Sequence, residues 1–383
     1  MPSAGVGISS GLDARSAAEQ AAGAALAGAG GRADAALLFA TPAYAATMPE
    51  LLDAAVETLG TEAVVGASGH GVVGSGAEHE GGACVAVLAQ SGLEAQPFLL
   101  PDLRGEEAEA GEEIAARLGG PPRPEDLVVV LPDPRGLRAE PLLQGLQKAL
   151  GPARLVGAGA GDPISGPPLQ WLGRRIESGA LAGIALRGGR PPRIGVTQAC
   201  RPATELLTVT RSEGHWILEL DGRPALDVYC EVARAPLADD LQRAAAFLLV
   251  ALPRDCESPL RPGGYLVRHV VGFAPEQRAF ALPEAVRRGQ RIALVQRDPD
   301  AAREDIKAML SQLGGHRPIL GLYFNCCARG SSFFGVGGLE AAYIERAFGQ
   351  APIAGMFGSC EIGPIGDSTE LLTYTGVLAL IDE

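Results

Sequence analysis

Ile319-Leu320-Gly321-Leu322-Tyr323-Phe324, followed by Asn325-Cys326-Cys327-Ala328-Arg329-Gly330, is the stretch that decides how the chain is read. An apolar run ends in a dense polar turn, the pattern of a buried strand that delivers polar groups at one end. Leu339 to Phe348 then reads as a helix and Pro352 to Met356 as a second apolar strand. Gly358-Ser359-Cys360-Glu361-Ile362-Gly363 forms a glycine-rich turn, and Thr373 to Ile381 a last strand. Two polar strand ends therefore flank one helix.

Working outward, Arg291 to Gln296 reads as a strand, and Asp298 or Asp300 caps a helix from Ala301 to Leu313. The same order of elements occurs near the N-terminus. Val6 to Ser9 is a strand, Asp13 caps a helix from Ala14 to about Leu26, and Ala35 to Ala40 is a strand. A helix from Met48 to Leu59 has apolar residues at 48, 51, 52, 55 and 59, a period near 3.6. Strand Ala63 to Ala67 runs into Ser68-Gly69-His70-Gly71, and Cys84 to Ala89 follows.

A shorter third copy comprises strand Leu127 to Leu131, helix Pro141 to Leu150, strand Ala153 to Val156 with Gly157 to Gly161, and strand Ala180 to Leu186. Gly60, Gly151 and Gly349 each follow a helix, where glycine suits a left-handed cap. Each unit buries one helical face on a sheet, so the expected class is α/β with mixed sheets. Two pseudo-repeated domains of strand-helix-strand-loop-strand units are expected, at 1–230 and 231–383. Arg193 to Asp221 reads as antiparallel hairpin, with a turn at Asp221-Gly222-Arg223-Pro224. Ala225 to Leu252 reads as mostly helical, and Tyr265 to Phe273 and Ala279 to Leu282 as paired strands.

Composition narrows the functional classes. Of 383 residues, 47% are apolar and 20% charged, an ordinary globular balance. The net charge of −13 comes without any Lys/Arg block, which argues against a nucleic-acid surface. The acidic run Glu106, Glu107, Glu109, Glu112 and Glu113 reads as a solvated helix start or loop. No signal peptide and no stretch long enough to span a membrane is read, so a cytoplasmic protein without membrane contact is expected. Seven cysteines without a CxxC read as reduced thiols.

Known catalytic motifs are missing. No G-x-S-x-G elbow occurs. Gly157 to Gly161 is followed by Asp162-Pro163, not by a helix as a dinucleotide fingerprint requires. Gly335-Val336-Gly337-Gly338 opens a helix with Glu340 in place of the last glycine, leaving a tight turn or an anion site. The turn Asn325 to Gly330 is the densest candidate. Arg329 offers a planar fork for a carboxylate, or it pairs with Glu361 to join two strand ends. Cys326 is either a reactive thiol or a packed side chain. Cys326, Cys327 and Cys360 lack the spacing of a zinc site, and no metal is expected. A thiol nucleophile needs a histidine base, and His316 is read at the far end of the strand. A haem ligand among the histidines is marked by no motif.

The chain resembles the FIST family of sensory domains. Gly66 to Gly74 is similar to the family's glycine-rich strand-turn. Gln198-Ala199-Cys200-Arg201-Pro202 is similar to its Gly-Cys-Arg-Pro signature, with Ala199 for glycine. Leu220-Asp221-Gly222-Arg223-Pro224-Ala225 looks like its Leu-Asp-Gly-x-Pro-Ala ending, and Phe324 to Gly330 its Phe-x-Cys-x-x-Arg-Gly. Ala354 to Gly363 looks like its Glu-Ile-Gly segment, with Cys360 for glycine and Met356 for an aromatic. The resemblance implies an N-terminal and a C-terminal FIST domain that bind a small ligand, such as an amino acid, and signal through a partner. Histidine kinases and cyclic-dinucleotide enzymes are the partners it suggests, and some members are associated with haem and nitric oxide. The ligand residues expected are Asn325, Cys326, Arg329, Gly330, Gly358, Cys360 and Glu361, with Arg201 more distant. No catalytic residue and no resident cofactor are expected; a haem-based sensor, a ligand-free scaffold and a cysteine enzyme are the alternatives.

Overall fold

The computed structural model describes all residues except 1, 75, 152, 162–165, 188–189, 255–259 and 383. Cys256 and the Asp162-Pro163 pair thus lie outside the described residues. The first segment runs β1 (Ser3–Ser9), α1 (Ala14–Gly28), β2 (Ala35–Ala40), α2 (Met48–Leu59) and β3 (Val64–Ser68). A hairpin of β4 (Gly71–Gly74) and β5 (Ala77–Glu80) follows, then β6 (Val85–Ser91). The second runs β7 (Glu94–Leu100), α3 (Ala110–Arg117), β8 (Leu127–Pro132), α4 (Ala139–Leu150) and β9 (Arg154–Ala158). Its hairpin is β10 (Gln170–Leu172) and β11 (Arg175–Glu177), and its last strand β12 (Leu181–Arg187).

The third segment opens with β13 (Arg193–Gln198) and is then interrupted. The interruption holds β14 (Cys200–Pro202), β15 (Leu207–Glu213), β16 (Trp216–Leu220), β17 (Arg223–Pro224) and α5 (Ala225–Ala233). It continues through α6 (Leu241–Ala245), β18 (Leu248–Pro253), β19 (Tyr265–Arg268), β20 (Gly272–Ala274), β21 (Ala279–Ala281) and β22 (Arg291–Arg297). After α7 (Pro299–Leu313) come β23 (Leu320–Cys326), α8 (Ser331–Phe334), α9 (Leu339–Phe348) and β24 (Ile353–Gly358). Hairpin β25 (Glu361–Ile365) and β26 (Ser368–Leu372) precedes β27 (Thr375–Ile381).

Two compact units result, one of residues 1–196 with 306–383 and one of 197–305. The larger holds three six-stranded sheets, β1-β6-β2-β3-β10-β11, β7-β12-β8-β9-β25-β26 and β13-β27-β23-β24-β4-β5. All three share one plan. The two central strands are parallel (β2 with β3, β8 with β9, β23 with β24). The second of them is then continued by an antiparallel hairpin drawn from a different segment. β10 adds to β3, β25 to β9, and β4 to β24. Each segment thus gives its hairpin away and receives another's.

Small residues permit this packing. On α1, Ala17, Ala18, Ala21 and Ala22 are fully buried, and a Cβ on Gly7 or Gly5 would stand 2.0 Å from the Ala21 carbonyl oxygen or 2.2 Å from that of Ala25. The Ala/Gly-rich helix is therefore a close-approach surface. Asp13 Oδ1 caps it by accepting from the Ser16 N–H at 2.8 Å. α3 and α4 cover the second sheet through Ile114, Leu142 and Leu146. α7 and α9 cover the third through Ile306, Ile344 and Phe348. At one equivalent place in each parallel pair a glycine faces its neighbour: Gly66 opposite Leu38, Gly157 opposite Val130, Gly355 opposite Tyr323. A Cβ at these sites would lie 1.7, 1.8 and 1.8 Å from the facing carbonyl oxygen.

Taken alone, the smaller unit is built on one nine-stranded sheet, with β18, β22 and β15 side by side. Several expectations change here. Arg291 to Gln296 is not the first strand of the C-terminal segment; as β22 it lies in this sheet, and β13 has that place beside β27. Leu248–Pro253 is a strand inside the stretch read as helical, because a continuous apolar run carries no period to separate strand from helix. The β15–β16 hairpin forms, turning at Gly214, while Asp221-Gly222 turns the chain into β17. The division expected at residue 230 falls within α5. In the acidic run of the larger unit, Glu107 is buried and ion-paired with Arg138, whose guanidinium holds its carboxyl down at about 2. Among the described residues no helix is long and apolar enough to cross a membrane.

Replacing Gly157 by alanine should destabilise the protein by about 2 kcal/mol, because the added methyl meets backbone and not a movable side chain. Gly23→Ala on α1, where a Cβ meets nothing within 4 Å, should instead be neutral or stabilise by up to about 1 kcal/mol. Urea denaturation of the two variants beside the parent checks the contrast.

Candidate functional site

β23 and β24 end side by side, Cys326 opposite Gly358, so the turns that follow are neighbours. The carboxyl ends of parallel strands are where such sheets leave room for ligands. Beyond Cys326, Cys327–Arg329 forms one tight helical turn that leads into α8.

Arg329 points inward and is fully buried. Its Nη2 donates to Glu340 Oε1 at 2.5 Å, and Nη1 donates to the Tyr374 carbonyl at 3.3 Å. Glu340 Oε2 accepts from Asn325 Nδ2 at 2.6 Å. The partner of Arg329 is therefore Glu340, in the first turn of α9, and not Glu361 as the sequence suggests. Glu340 occupies the place where a dinucleotide fingerprint would have its last glycine. A carboxylate at the start of an otherwise apolar helix face was the available signal. Tyr374 takes φ of 60°, a left-handed backbone that a bulky residue adopts only when its surroundings impose it.

Glu361 is also fully buried, but differently furnished. Its Oε2 accepts from Thr375 Oγ1 at 2.7 Å and from the Thr375 N–H at 3.3 Å. Oε1 has no hydrogen-bond partner among the described residues. Burial, with the Cys326 sulfur nearby, pushes the carboxyl well above the usual carboxylate range. Cys326 is buried beside it, and Cys327 is exposed on the turn.

Gly330 leaves space for Glu80, whose carboxylate accepts from the Ser331 N–H at 2.6 Å; a Cβ on Gly330 would overlap it at 1.8 Å. A Cβ on Gly358 would stand 2.7 Å from Ala158 Cβ, and one on Gly159 equally near the Cys360 sulfur, at 2.7 Å. Three strand-end turns meet here. The Gly161 N–H donates to the Ser68 carbonyl at 2.6 Å, Ser359 N–H to Gly159 at 3.0 Å, and His70 N–H to Phe357 at 2.8 Å. Half-buried His70 and Ser359 approach each other at 3.4 Å. Seven of the eight expected residues thus cluster. Arg201 belongs to the smaller unit, where it pairs with Asp298 at 2.9 Å. His316 meets Asp382 at 3.2 Å. Among the described residues no group of three or more His, Cys, Asp or Glu side chains is arranged to hold a metal ion.

Residues 34–223 match the FIST N domain and residues 225–364 the FIST C domain. The chain belongs to the FIST family. FIST domains are generally associated with small-ligand sensing and signal transduction. Uncharacterized protein Rv0628c of Mycobacterium tuberculosis is 30% identical over 98% of this chain and 98% of its own. Uncharacterized protein Mb0898c of Mycobacterium bovis is 29% identical over 98% of each. Among solved structures, a cyanuric acid hydrolase from A. caulinodans aligns with 49% of this chain and 72% of its own, at a TM-score of 0.29 and 13% identity, a likeness that carries no argument.

The two family matches meet near residue 224, inside the smaller compact unit, so each FIST half contributes strands to both units of this FIST protein. Glu78, from the FIST N half, accepts from the Ala341 and Gly338 N–H groups at 2.7 and 3.2 Å, at the start of α9. Burial, and then the charge of Glu340, raise its pKa to about 7. A separate cleft of about 330 Å³ lies in the same unit, with Arg317 and Glu345 on its walls and none of the expected site residues.

Glu340→Ala would leave the buried Arg329 guanidinium without its counter-charge, at a cost of about 3–5 kcal/mol, measurable as a lowered urea midpoint. The Glu78 carboxyl keeps its proton to about pH 7 in the folded chain and only to about 4.5 when exposed. Stability should therefore fall as pH rises through that window. Glu78→Gln should flatten the decline, with the remaining slope coming from Glu361, which titrates in the same sense.

Proposed function

We propose that this FIST protein is a sensory module that binds a small nitrogen-bearing metabolite, an amino acid being the fitting class, where the strand-end turns meet. A partner protein reads out the bound state. The observation that carries the reading is Glu361: fully buried, with one carboxyl oxygen unpartnered among the described residues. A buried acceptor left unpaired costs about 1–3 kcal/mol, which a ligand donor recovers on binding. An ammonium suits that oxygen, because its charge favours the ionised, accepting carboxylate that burial alone opposes.

Arg329 is engaged by Glu340, so its part is to hold the turn that frames the site. Cys327, exposed, and Ser359 and His70, half-buried, are the polar groups that the same turns present outward.

Isothermal titration of the full chain against an amino-acid panel tests the proposal. At least one member should release heat, with Kd weakened at least tenfold, about 1.4 kcal/mol, by Glu361→Gln. Silence across the panel rejects the class. Binding that survives Glu361→Gln but disappears in Glu345→Gln places the ligand in the 330 Å³ cleft instead.

A further inference from the structure

We propose that the 330 Å³ cleft binds a short free peptide, whose amide groups add to the open edge of β1 and whose charged ends meet Glu345 and Arg317. The site shares no residue with the strand-end turns, so it stands or falls apart from the amino-acid site proposed there.

One wall of the cleft is the edge of a sheet. β1 is the outer strand of the first sheet and pairs with β6 alone. The phase of the ladder fixes which of its backbone groups face out. On the other side of β6, the Thr41 N–H donates to the Cys84 carbonyl at 2.9 Å, and opposed residues of antiparallel strands alternate between bonded and non-bonded pairs. In the observed registers, β6 therefore turns Val85, Val87, Ala89 and Ser91 toward Ser9, Gly7, Gly5 and Ser3. Ala4, Val6 and Ile8 are left with their N–H and C=O groups directed away from the sheet, and no described residue hydrogen-bonds to them. Ala4 and Val6 line the cleft.

Open edges are templates for any extended chain, and proteins blunt them with charge, proline or brevity. The other outer strands of the larger unit do so. β11 has three residues, with Arg175 and Glu177, and β5 four, with Glu78 and Glu80. β7 carries Pro97, β26 Glu370 and β13 Arg193. β1 is seven residues long, without charge or proline, and in unbroken register with β6. What sets it apart is the cleft beside it.

The remaining walls supply the rest of a peptide site. Val73, Ile344 and Ile353 offer an apolar surface to a side chain. Glu345 is exposed and, among the described residues, has no ion pair or hydrogen bond. Its carboxylate lies against Gly76, where a Cβ would stand 2.6 Å from Oε2. Arg317 gives one N–H to the Gln350 carbonyl at 2.8 Å and pairs with no carboxylate among the described residues. Two opposite charges thus share the cleft without pairing, which suits a ligand carrying one of each: an ammonium for Glu345 and a carboxylate for the guanidinium fork. A free amino acid has both charges but no amide, so only a peptide also meets the β1 edge. Ala4 to Val6 covers about 7 Å of strand, the length of roughly two or three residues.

Isothermal titration of the full chain with Ala-Val-Ala, Ala-Leu-Ala and Ala-Phe-Ala, free at both ends, tests the site. At least one should bind. Acetylating its N-terminus or amidating its C-terminus should each weaken it about tenfold, the loss expected of a charge-assisted hydrogen bond. Glu345→Gln should weaken the free peptide by a similar factor and leave the acetylated one unchanged; Arg317→Gln should do the same for the free and the amidated forms. Ala4→Pro removes an outward N–H, leaves the β1–β6 ladder intact and should weaken every form about fivefold. Silence from all three peptides overturns the proposal. So does equal binding of a peptide blocked at both ends, which marks the edge as a docking strip for a longer chain. Displacement of the bound peptide by an equal concentration of alanine, which has no amide, overturns it as well. These three readouts use the parent protein and require no variant to fold.

Discussion

The ion pair of Arg329 with Glu340 is the interaction on which the polar end of the third sheet depends. Removing both charges from water costs several kcal/mol per ion, and their attraction offsets this only when the remaining donors and acceptors are also occupied. That condition is met by particular neighbours. Glu340 gives its second oxygen to Asn325, and Arg329 gives a further donor to the Tyr374 carbonyl. The left-handed backbone of Tyr374 follows from this, since its carbonyl must face the guanidinium. The first turn of α9 is held against the end of β23 by the same contacts, and Glu78 completes the helix start from a strand of the other FIST half.

Seen this way, the conspicuous groups of the turn divide into two kinds. Arg329 and Glu340 pair with each other and act as framework, and Asn325 joins them through its Nδ2 alone, its Oδ1 having no hydrogen-bond partner among the described residues. Glu361 Oε1 and Asn325 Oδ1 keep unspent capacity as buried oxygens without a hydrogen-bond partner among the described residues, and Cys327 is exposed on the same turn.

Much of the local structure was legible in the sequence because it is set by near neighbours. Met48–Leu59 follows from its apolar period, α1 from the Asp13 cap, and β23 from an unbroken apolar run. Partnership was not legible. Nothing in Arg291–Arg297 says that it pairs with Leu248–Leu252 and not with the closing strand, because both environments are buried and apolar. The acidic run near Glu107 illustrates the same limit: a carboxylate reads as solvated until its arginine, far along the chain, is placed beside it. At the candidate site, the turns could be located from glycine and polar residues, whereas Glu340 as the partner of Arg329 required the helix to be docked.

The exchange of hairpins has a consequence for how the chain is made. Translation delivers β4 and β5 early, but the strand they complete, β24, begins only at Ile353. Until β24 is made, that hairpin has no sheet to join, and the hairpin that follows β24 is the piece that completes β9. The first sheet can close once β10 and β11 are made, whereas the second and third sheets share strands across segments and close only when β24 to β26 are present. In the interval the unpaired edges of β9 and β4 are exposed, and unpaired strand edges are templates for wrong pairing.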